Sequence, residues 1–299
     1  MQTSTPDRVV WTILRLLGWT TEYFTSHGVA SPRTDAEILL AHTLGLRRID
    51  LYVRHEQPLS KPELGRFRKM VQRRAVREPV AYITGRKEFW SLNLTVSPAV
   101  LIPRPETECL VEAALDRLAA LGDRSAPRRI LDLGTGSGAV ALALAAQRPI
   151  DLIFASDSSK AALVAAEKNA LENGLAGRVQ FFCAHWMNAL HSPMCNFDLI
   201  LSNPPYIPSG QIEQLQPEIT RYEPRSALDG GPDGLGCIGH IIDNAPRFLR
   251  PGGWVLSEIG HDQGRDLKRI VEADRRYDAP AVTQDYGGHD RVLAIKLKK

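Results

Sequence analysis

The sharpest chemical signal in this sequence is Asn203-Pro-Pro-Tyr206, directly after the apolar run Phe197-Asp-Leu-Ile-Leu-Ser202. A run of that texture predicts a buried strand, which leaves the tetrapeptide at the carboxyl edge of a sheet, where open α/β folds bind ligands. Asn203 offers a side-chain carbonyl, and the two peptides leading into Pro204 and Pro205 offer carbonyls next to nitrogens that carry no proton. Two acceptors of this kind can hold a planar NH2 group, whose lone pair is otherwise delocalised, so that it points at an electrophilic methyl. Tyr206 adds an aromatic wall for a flat acceptor. No base is needed before attack, because the nitrogen's protons become acidic only once it has been alkylated; positioning carries most of the rate. Asn203, Pro204 and Tyr206 are therefore the candidate catalytic residues, with Pro205 joining them to hold the substrate. The bland alternative is a proline-rich turn after a strand.

A second segment, Ile130-Leu-Asp-Leu-Gly-Thr-Gly-Ser-Gly138, reads as a strand, a glycine-rich turn and the start of an Ala/Leu helix. Glycines there let the backbone approach a ligand closely. Asp157, at the end of the next apolar run, can accept both ribose hydroxyls of an adenosine. The GxGxG spacing is not the GxGxxG of dinucleotide folds, yet those also place an acid at this distance. From these residues alone the cofactor is adenosine-containing: S-adenosylmethionine or a dinucleotide, with purely structural glycines as the third reading. Gly134, Thr135, Gly136, Ser137, Gly138 and Asp157 are the candidate cofactor residues.

Elements able to position these loops are visible in the texture after Pro103. Strands are expected at 129–133, 152–156, 179–183, 197–202 and 253–258, with helices at 106–121, 138–147, 159–173 and 237–249 between them. That alternation marks a doubly wound, mostly parallel α/β sheet. A final pair at 281–284 and 291–298 would close one edge, where an antiparallel strand is allowed. Residues 8–75 instead carry helix-period patterning broken by caps, including Ser60-Lys-Pro-Glu63 as a capping box. Between Glu88 and Ile102 the pattern alternates, which suggests a hairpin. The expected domains are a helical one at 1–86 for substrate docking, a hairpin linker at 87–102 and an α/β domain at 103–299.

At 299 residues, 43% hydrophobic and 24% charged, the composition excludes a disordered or fibrous chain. The longest aliphatic run, Ala139 to Ala146, is 8 residues, against roughly 20 for a bilayer span. The amino terminus has neither the charge pattern nor the cleavage site of a leader, so a cytoplasmic protein is expected. Cys109, Cys183, Cys195 and Cys237 form no CxxC pair; reduced thiols and no bound metal are expected. Net charge is only +3, but Arg47 to Glu88 holds 12 Lys or Arg against 5 Asp or Glu. Its densest part, Arg66 to Arg77, reads as an amphipathic basic helix. Either it is a solvated face or it docks an acidic or RNA-containing partner through residues such as Arg73 and Arg74.

Along nearly its whole length the sequence resembles the HemK/PrmC family, the protein-glutamine methyltransferases of peptide chain release factors. The matching stretches are Glu78-Pro-Val-Ala-Tyr-Ile-Thr-Gly85, Glu88-Phe89, Val100-Leu-Ile-Pro-Arg-Pro-Glu-Thr-Glu108, the glycine loop, Asn203 to Ile207, Tyr222 to Leu228, Gly230 to Leu235 and Pro251-Gly-Gly253. The resemblance implies a class I S-adenosylmethionine-dependent fold and methylation of the glutamine in a Gly-Gly-Gln motif. It implies a release factor as the protein partner, with no nucleic acid or membrane required, and a monomer is expected. It also implies that Trp186 stacks near the adenine, that Asn203 borders the cofactor as well as the substrate, and that Arg104 and Glu106 either close over the site or brace its loop. Two departures stand out. Ala184-His185 replaces the Ser-Asp usual before the tryptophan, removing an acceptor for the adenine amine, and Ser91 replaces a glycine after Glu88-Phe89. The competing readings are a methyltransferase acting on an exocyclic amine of a nucleic acid and a non-catalytic cofactor-binding adaptor.

Overall fold

A computed structural model describes residues 10–122, 127–191 and 196–299. The chain forms two compact units, one of residues 1–85 with 217–222 and the other of 86–216 with 223–299. The first is built on helices α1 (Ile13–Ser26), α2 (Pro32–Leu44), α3 (Arg48–Val53), α4 (Lys61–Ala75) and α5 (Val80–Thr84). Their apolar stripes meet in one core, where Leu17 and Phe24 of α1, Leu39 and Leu40 of α2 and Phe67 and Val71 of α4 are buried together. The capping box forms as expected, with the Ser60 amide donating to Glu63 Oε2 at 2.7 Å. Glu37, buried inside this unit, accepts from Arg33 and Arg48 at 2.7 Å each and from the Tyr52 hydroxyl.

The second unit opens with the hairpin β1 (Arg86–Phe89) and β2 (Leu92–Thr95). Its two turn residues, Trp90 and Ser91, both have left-handed φ, 51° and 61°. This turn type favours glycine, so Ser91 sits there at a backbone cost of about 1 kcal/mol. The hairpin, expected as a linker, clusters with the second unit, where the side-chain amides of Asn169 and Asn173 hold it. Asn169 exchanges hydrogen bonds with the Thr95 amide and carbonyl at 2.6 and 3.0 Å, and Asn173 does so with Asn93.

Then follow α6 (Glu108–Ala120), β3 (Arg129–Leu133), α7 (Ala139–Gln147), β4 (Leu152–Asp157), α8 (Lys160–Glu172), β5 (Val179–Cys183), β6 (Phe197–Ser202), α9 (Pro217–Tyr222), α10 (Gly236–Asn244), β7 (Leu249–Glu258), α11 (Gly264–Ala273), β8 (Ala281–Gln284) and β9 (Asp290–Lys296). Seven strands make a sheet in the order β5-β4-β3-β6-β7-β9-β8. The first five are parallel, and β9 and β8 close the edge antiparallel. Alternate residues face opposite layers: Ile130, Leu199 and Leu201 pack under α6 and α7, while Leu131, Ile200 and Leu293 pack under α10 and α11.

No helix is expected at 264–273, yet α11 forms there. It is largely polar but strongly amphipathic, burying Gly264, Leu267 and Val271 along one face, so its helical spacing is present in the sequence. The preceding helix is expected to reach Leu249. That helix stops at Asn244, where a 3₁₀ turn carrying Pro246 takes over and leads into β7.

Although it lies beyond β6 in sequence, α9 belongs with the helical unit. Glu218 accepts from Arg74 at 2.8 Å and from Arg77 Nε and Nη2 at 2.7 Å each, and the Tyr222 hydroxyl donates to the Val76 carbonyl. Arg74 is 5% exposed and also bonds Asp35 at 2.7 Å. Burial opposes the Glu218 charge, yet the two arginines hold its carboxyl below the usual range. Arg74 therefore belongs to neither a solvated nor a docking face. Arg74 is buried and committed within its own unit, and Arg73 is paired with Glu78, so reversing them would break the unit. Arg66, Arg68 and Lys69 keep the exposed face.

Candidate active site

The two loops emerge side by side because of register. Leu133 of β3 pairs with Ser156 of β4 on one side and Ser202 of β6 on the other, so Gly134, Asp157 and Asn203 leave the sheet at one level. β3 and β6 flank the point where strand order reverses, which is where open parallel sheets form a ligand crevice. A cleft of about 450 Å³ lies there, within the range of small-molecule sites. Gly134, Thr135, Gly136, Ser137, Asp157, Trp186, Asn203 and Pro205 wall it, together with Asp132, Thr107, His185 and the segment 224–229.

Gly134 and Gly136 have φ of 72° and 56°, and a Cβ on either would meet nothing, so their bare backbone faces open space. Asp157 shapes this turn, accepting from the Gly136 amide at 2.9 Å and the Ser159 amide at 2.8 Å. Gly138 is not in the wall; a Cβ there would stand 3.1 Å from Ala166 Cβ, so this glycine permits close packing of α8 instead. Asp132, which the sequence reading left without a role, is 2% exposed and accepts from the Thr135 hydroxyl at 2.7 Å. Burial pushes its carboxyl up to about 7, with the Thr135 bond opposing and the charge of Asp157 adding.

Trp186 lines the cleft with a left-handed φ of 52°, an unusual backbone for so bulky a residue. His240 lies beside its ring at 6.3 Å and His185 edge-on at 5.9 Å. His185 is exposed at the cleft rim.

In the Asn-Pro-Pro-Tyr loop, the Asn203 NH2 donates to the Thr107 hydroxyl at 3.1 Å, leaving its carbonyl as the uncommitted end. Pro204 is buried and Pro205 lines the cleft. Tyr206 is not in the wall. Its hydroxyl donates to Glu258 Oε1 at 3.2 Å, and burial with the Glu258 charge beside it pushes that hydroxyl's pKa well up. The backbone is stapled from the other side by Gln263, which donates to the Tyr206 carbonyl at 2.9 Å and the Gly234 carbonyl at 3.2 Å. A Cβ on Gly230 would come within 2.8 Å of the Pro205 carbonyl, and one on Gly234 would collide with the Tyr206 carbonyl. Gly230-Gly-Pro-Asp-Gly234 is thus a bare surface on which the loop rests. Arg104 pairs with Glu223, not with the exposed Glu106, and Glu223 also accepts from the Ile102 amide at 3.2 Å. The arginine therefore braces the segment before Thr107. Thr107 sits inside the stretch Val100 to Glu108 but has no role assigned from sequence, and nothing in the neighbourhoods of Glu258 and Gln263 marks them.

The cysteines that can be described, Cys109, Cys183 and Cys237, are free; Cys195 lies outside the described residues. Among the described residues no His, Cys, Asp or Glu group is arranged to hold a metal, and no helix is long and apolar enough to cross a membrane.

A bare-backbone turn, an acid after the next strand and an oriented amide across a cleft fit an adenosyl sulfonium donor facing a nitrogen acceptor. The fold agrees. The hMettl16 catalytic domain, solved with a MAT2A 3'UTR hairpin, superposes with a TM-score of 0.56 at 16% identity, covering 81% of this chain and 84% of that one, a likeness of fold alone. Residues 112–221 match the methyltransferase small domain family and 15–85 the PrmC N-terminal domain family. The chain is a class I S-adenosylmethionine-dependent methyltransferase. Release factor glutamine methyltransferase of Geobacter sulfurreducens is 43% identical over 292 residues, 96% of this chain and 98% of the relative. The Salmonella typhimurium protein of that name is 45% identical over 262 residues, 88% and 91%. This chain belongs to the release factor glutamine methyltransferase family.

Proposed function

We propose that this protein methylates the side-chain amide nitrogen of the glutamine in the Gly-Gly-Gln motif of peptide chain release factors, modulating translation termination. The observation that carries the reading is the orientation of Asn203: its NH2 is committed to Thr107, so a carbonyl oxygen is presented at the cleft beside the glycine turn. When bound, S-adenosylmethionine supplies an electrophilic methyl on a sulfonium. Every other task falls to the chain. Gly134 to Ser137 and Asp157 hold the adenosine, and Trp186 stacks against its base. The Asn203 carbonyl and the carbonyl before Pro205 accept from the glutamine NH2 and turn its nitrogen toward the methyl. Pro204 and Tyr206 keep that geometry rigid. The nitrogen forms its new bond first and loses a proton afterwards, so no side chain has to deprotonate a ground-state amide.

The partner is a release factor, met in the cytoplasm by a monomer that needs neither metal nor nucleic acid. Purified release factor, incubated with enzyme and S-adenosylmethionine, should gain one methyl on the Gly-Gly-Gln glutamine by mass spectrometry. An unmodified release factor alongside a methylated adenine-containing oligonucleotide would overturn the reading.

A further inference from the structure

Gln263 stands where three segments of the second unit converge. It is the residue before α11, 7% exposed, and its carboxamide commits both its protons and its oxygen. Nε2 donates to the Tyr206 carbonyl at 2.9 Å and to the Gly234 carbonyl at 3.2 Å, while Oε1 accepts from the Gly260 amide at 2.9 Å. The direction of this carboxamide is forced. Turned over, it would set its oxygen against two carbonyl oxygens and its NH2 against an N–H. The main chain of Gln263 is held as well: its amide donates to the Gly260 carbonyl at 3.0 Å, and its carbonyl accepts from the Leu267 amide of α11 at 3.0 Å. A side chain anchored at root and tip has no freedom to follow a moving loop.

The grip falls at a particular place on the Asn-Pro-Pro-Tyr loop. Pro204 and Pro205 carry no N–H, so the fold can bond their backbone only through carbonyls, and the transfer needs the Pro204 carbonyl left open for the substrate amide. The loop is therefore held just past its prolines. Gln263 takes the Tyr206 carbonyl; next along the chain the Ile207 amide donates to the Leu228 carbonyl at 3.0 Å, and the Ile207 carbonyl accepts from the Gly230 amide at 2.9 Å. Ring closure fixes φ at about −65° in both prolines, so the pair moves as one stiff piece. A rotation admitted at Tyr206 swings the Pro204 carbonyl with it.

We infer that Gln263 is a positioning residue for the transfer: by holding the Tyr206 carbonyl to the Gly234 carbonyl through one shared NH2, it aims the Pro204 carbonyl at the substrate amide, as Thr107 orients Asn203 at the other end of the loop. The inference rests on the glutamine reading of the site. Gln263 is not in the cleft wall, so it acts through the loop and is felt in the rate of transfer, not in the binding of the cofactor. Without its NH2, two buried carbonyls lose their donor and the loop relaxes off its glycine shelf. A shift of about 1 Å in a group that aligns the reacting atoms can cost about 100-fold in rate.

The test uses the full-length enzyme with intact release factor, in wild type, Gln263→Met, Gly260→Ala and Val271→Ala forms. Gln263→Met keeps the length of the side chain and removes its donors. It should lower kcat about 30-fold, on the scale of a misaligned reacting group, while the KM for release factor and the Kd for S-adenosylmethionine each stay within about twofold. Gly260→Ala leaves Gln263 in place but sets a Cβ 3.1 Å from its Cδ and Oε1, and should lower kcat about fivefold with the same split. Val271→Ala removes a side chain, 1% exposed, from the same helix; it should lower the melting temperature at unchanged kcat. Independently of turnover, enzyme labelled with carbonyl-¹³C tyrosine has seven tyrosines to report. The Tyr206 signal, assigned by its loss in Tyr206→Phe, should move in Gln263→Met and stay in place in Val271→Ala. Wild-type kcat in Gln263→Met, an unmoved Tyr206 signal there, or a kcat loss in Val271→Ala as large as in Gln263→Met would overturn the inference. If Gln263→Met loses its fold, the kcat and Tyr206 signal of Gly260→Ala decide. A wild-type enzyme that leaves release factor unmodified overturns the glutamine reading instead, and the Tyr206 signal then judges the Gln263 contact alone.

Discussion

Residues 134–138 and residues 203–206 leave adjacent strands at one level of the sheet and are held there differently. The glycine turn is fixed from within its own strand–helix–strand unit: the Gly134 and Thr135 amides both reach the Ser156 carbonyl at 2.9 Å, Gly136 reaches Asp157, and Thr135 reaches Asp132. It folds with that unit and presents bare backbone. The Asn-Pro-Pro-Tyr loop draws its support from Thr107, Gly230, Gly234, Glu258 and Gln263, which lie about 24 to 96 positions away in sequence. Proline explains the contrast. With no N–H at 204 or 205, the second loop cannot knit itself together and depends on outside surfaces. A locally built turn suits a cofactor common to many methyltransferases, whereas a loop braced from afar lets the rest of the fold set the substrate geometry.

The contrast breaks or holds first on Asn203. Asn203→Ala should lower turnover about 100-fold or more and leave cofactor affinity nearly unchanged, as read by steady-state kinetics beside calorimetry. Asp157→Ala should do the opposite, weakening S-adenosylmethionine about 30-fold through lost ribose and turn-holding bonds while kcat at saturation persists. If both variants lose both functions, the loops are one structural unit and the distinction fails.

Gly234→Ala tests the remote support. Its Cβ would strike the Tyr206 carbonyl, whereas Gly231→Ala carries a similar left-handed penalty, at φ 93°, into open space. Gly234→Ala should therefore cost about 2 kcal/mol more stability in denaturant melts and reduce kcat as well. Equal losses in the two variants would remove the packing argument.

Asp132 sharpens the comparison from the cofactor side. Its carboxyl, at about 7, ionises across neutral pH against the cleft, so affinity for the cationic cofactor should rise about tenfold as pH climbs through that value, and Asp132→Asn should flatten the profile. Stability moves the other way. The folded protein retains this proton where the unfolded chain has lost it, so the group's contribution to folding is fully present at low pH and is lost as pH rises from the ordinary carboxylate range through about 7. A calorimetric profile flat in wild type would refute the role.

The smallest effect is expected at His185. At the rim, His185→Asp restores an acceptor for the adenine amine and should tighten cofactor binding about fivefold without touching kcat. An unchanged Kd would mean that the backbone alone reads the adenine.

By itself, the sequence determined the alternation of strands and helices, the two chemical loops and the Ser60 capping box, because each rests on periodicities and caps spanning a few residues. Where the chain contradicted that reading, the cause was distant. Arg74 reads as part of a basic face until Asp35 and Glu218, 39 and 144 positions away, enclose it. Thr107 reads as a helix-start residue until Asn203 arrives 96 positions later. Glu258 reads as a polar strand end, since neither its burial nor its neighbours Tyr206 and Arg291 can be seen along the chain. Residue type states which hydrogen bonds a group can make, but only the packed fold removes water and leaves a particular partner within reach, and for Asn203 that choice of partner sets which end of the amide faces the cleft.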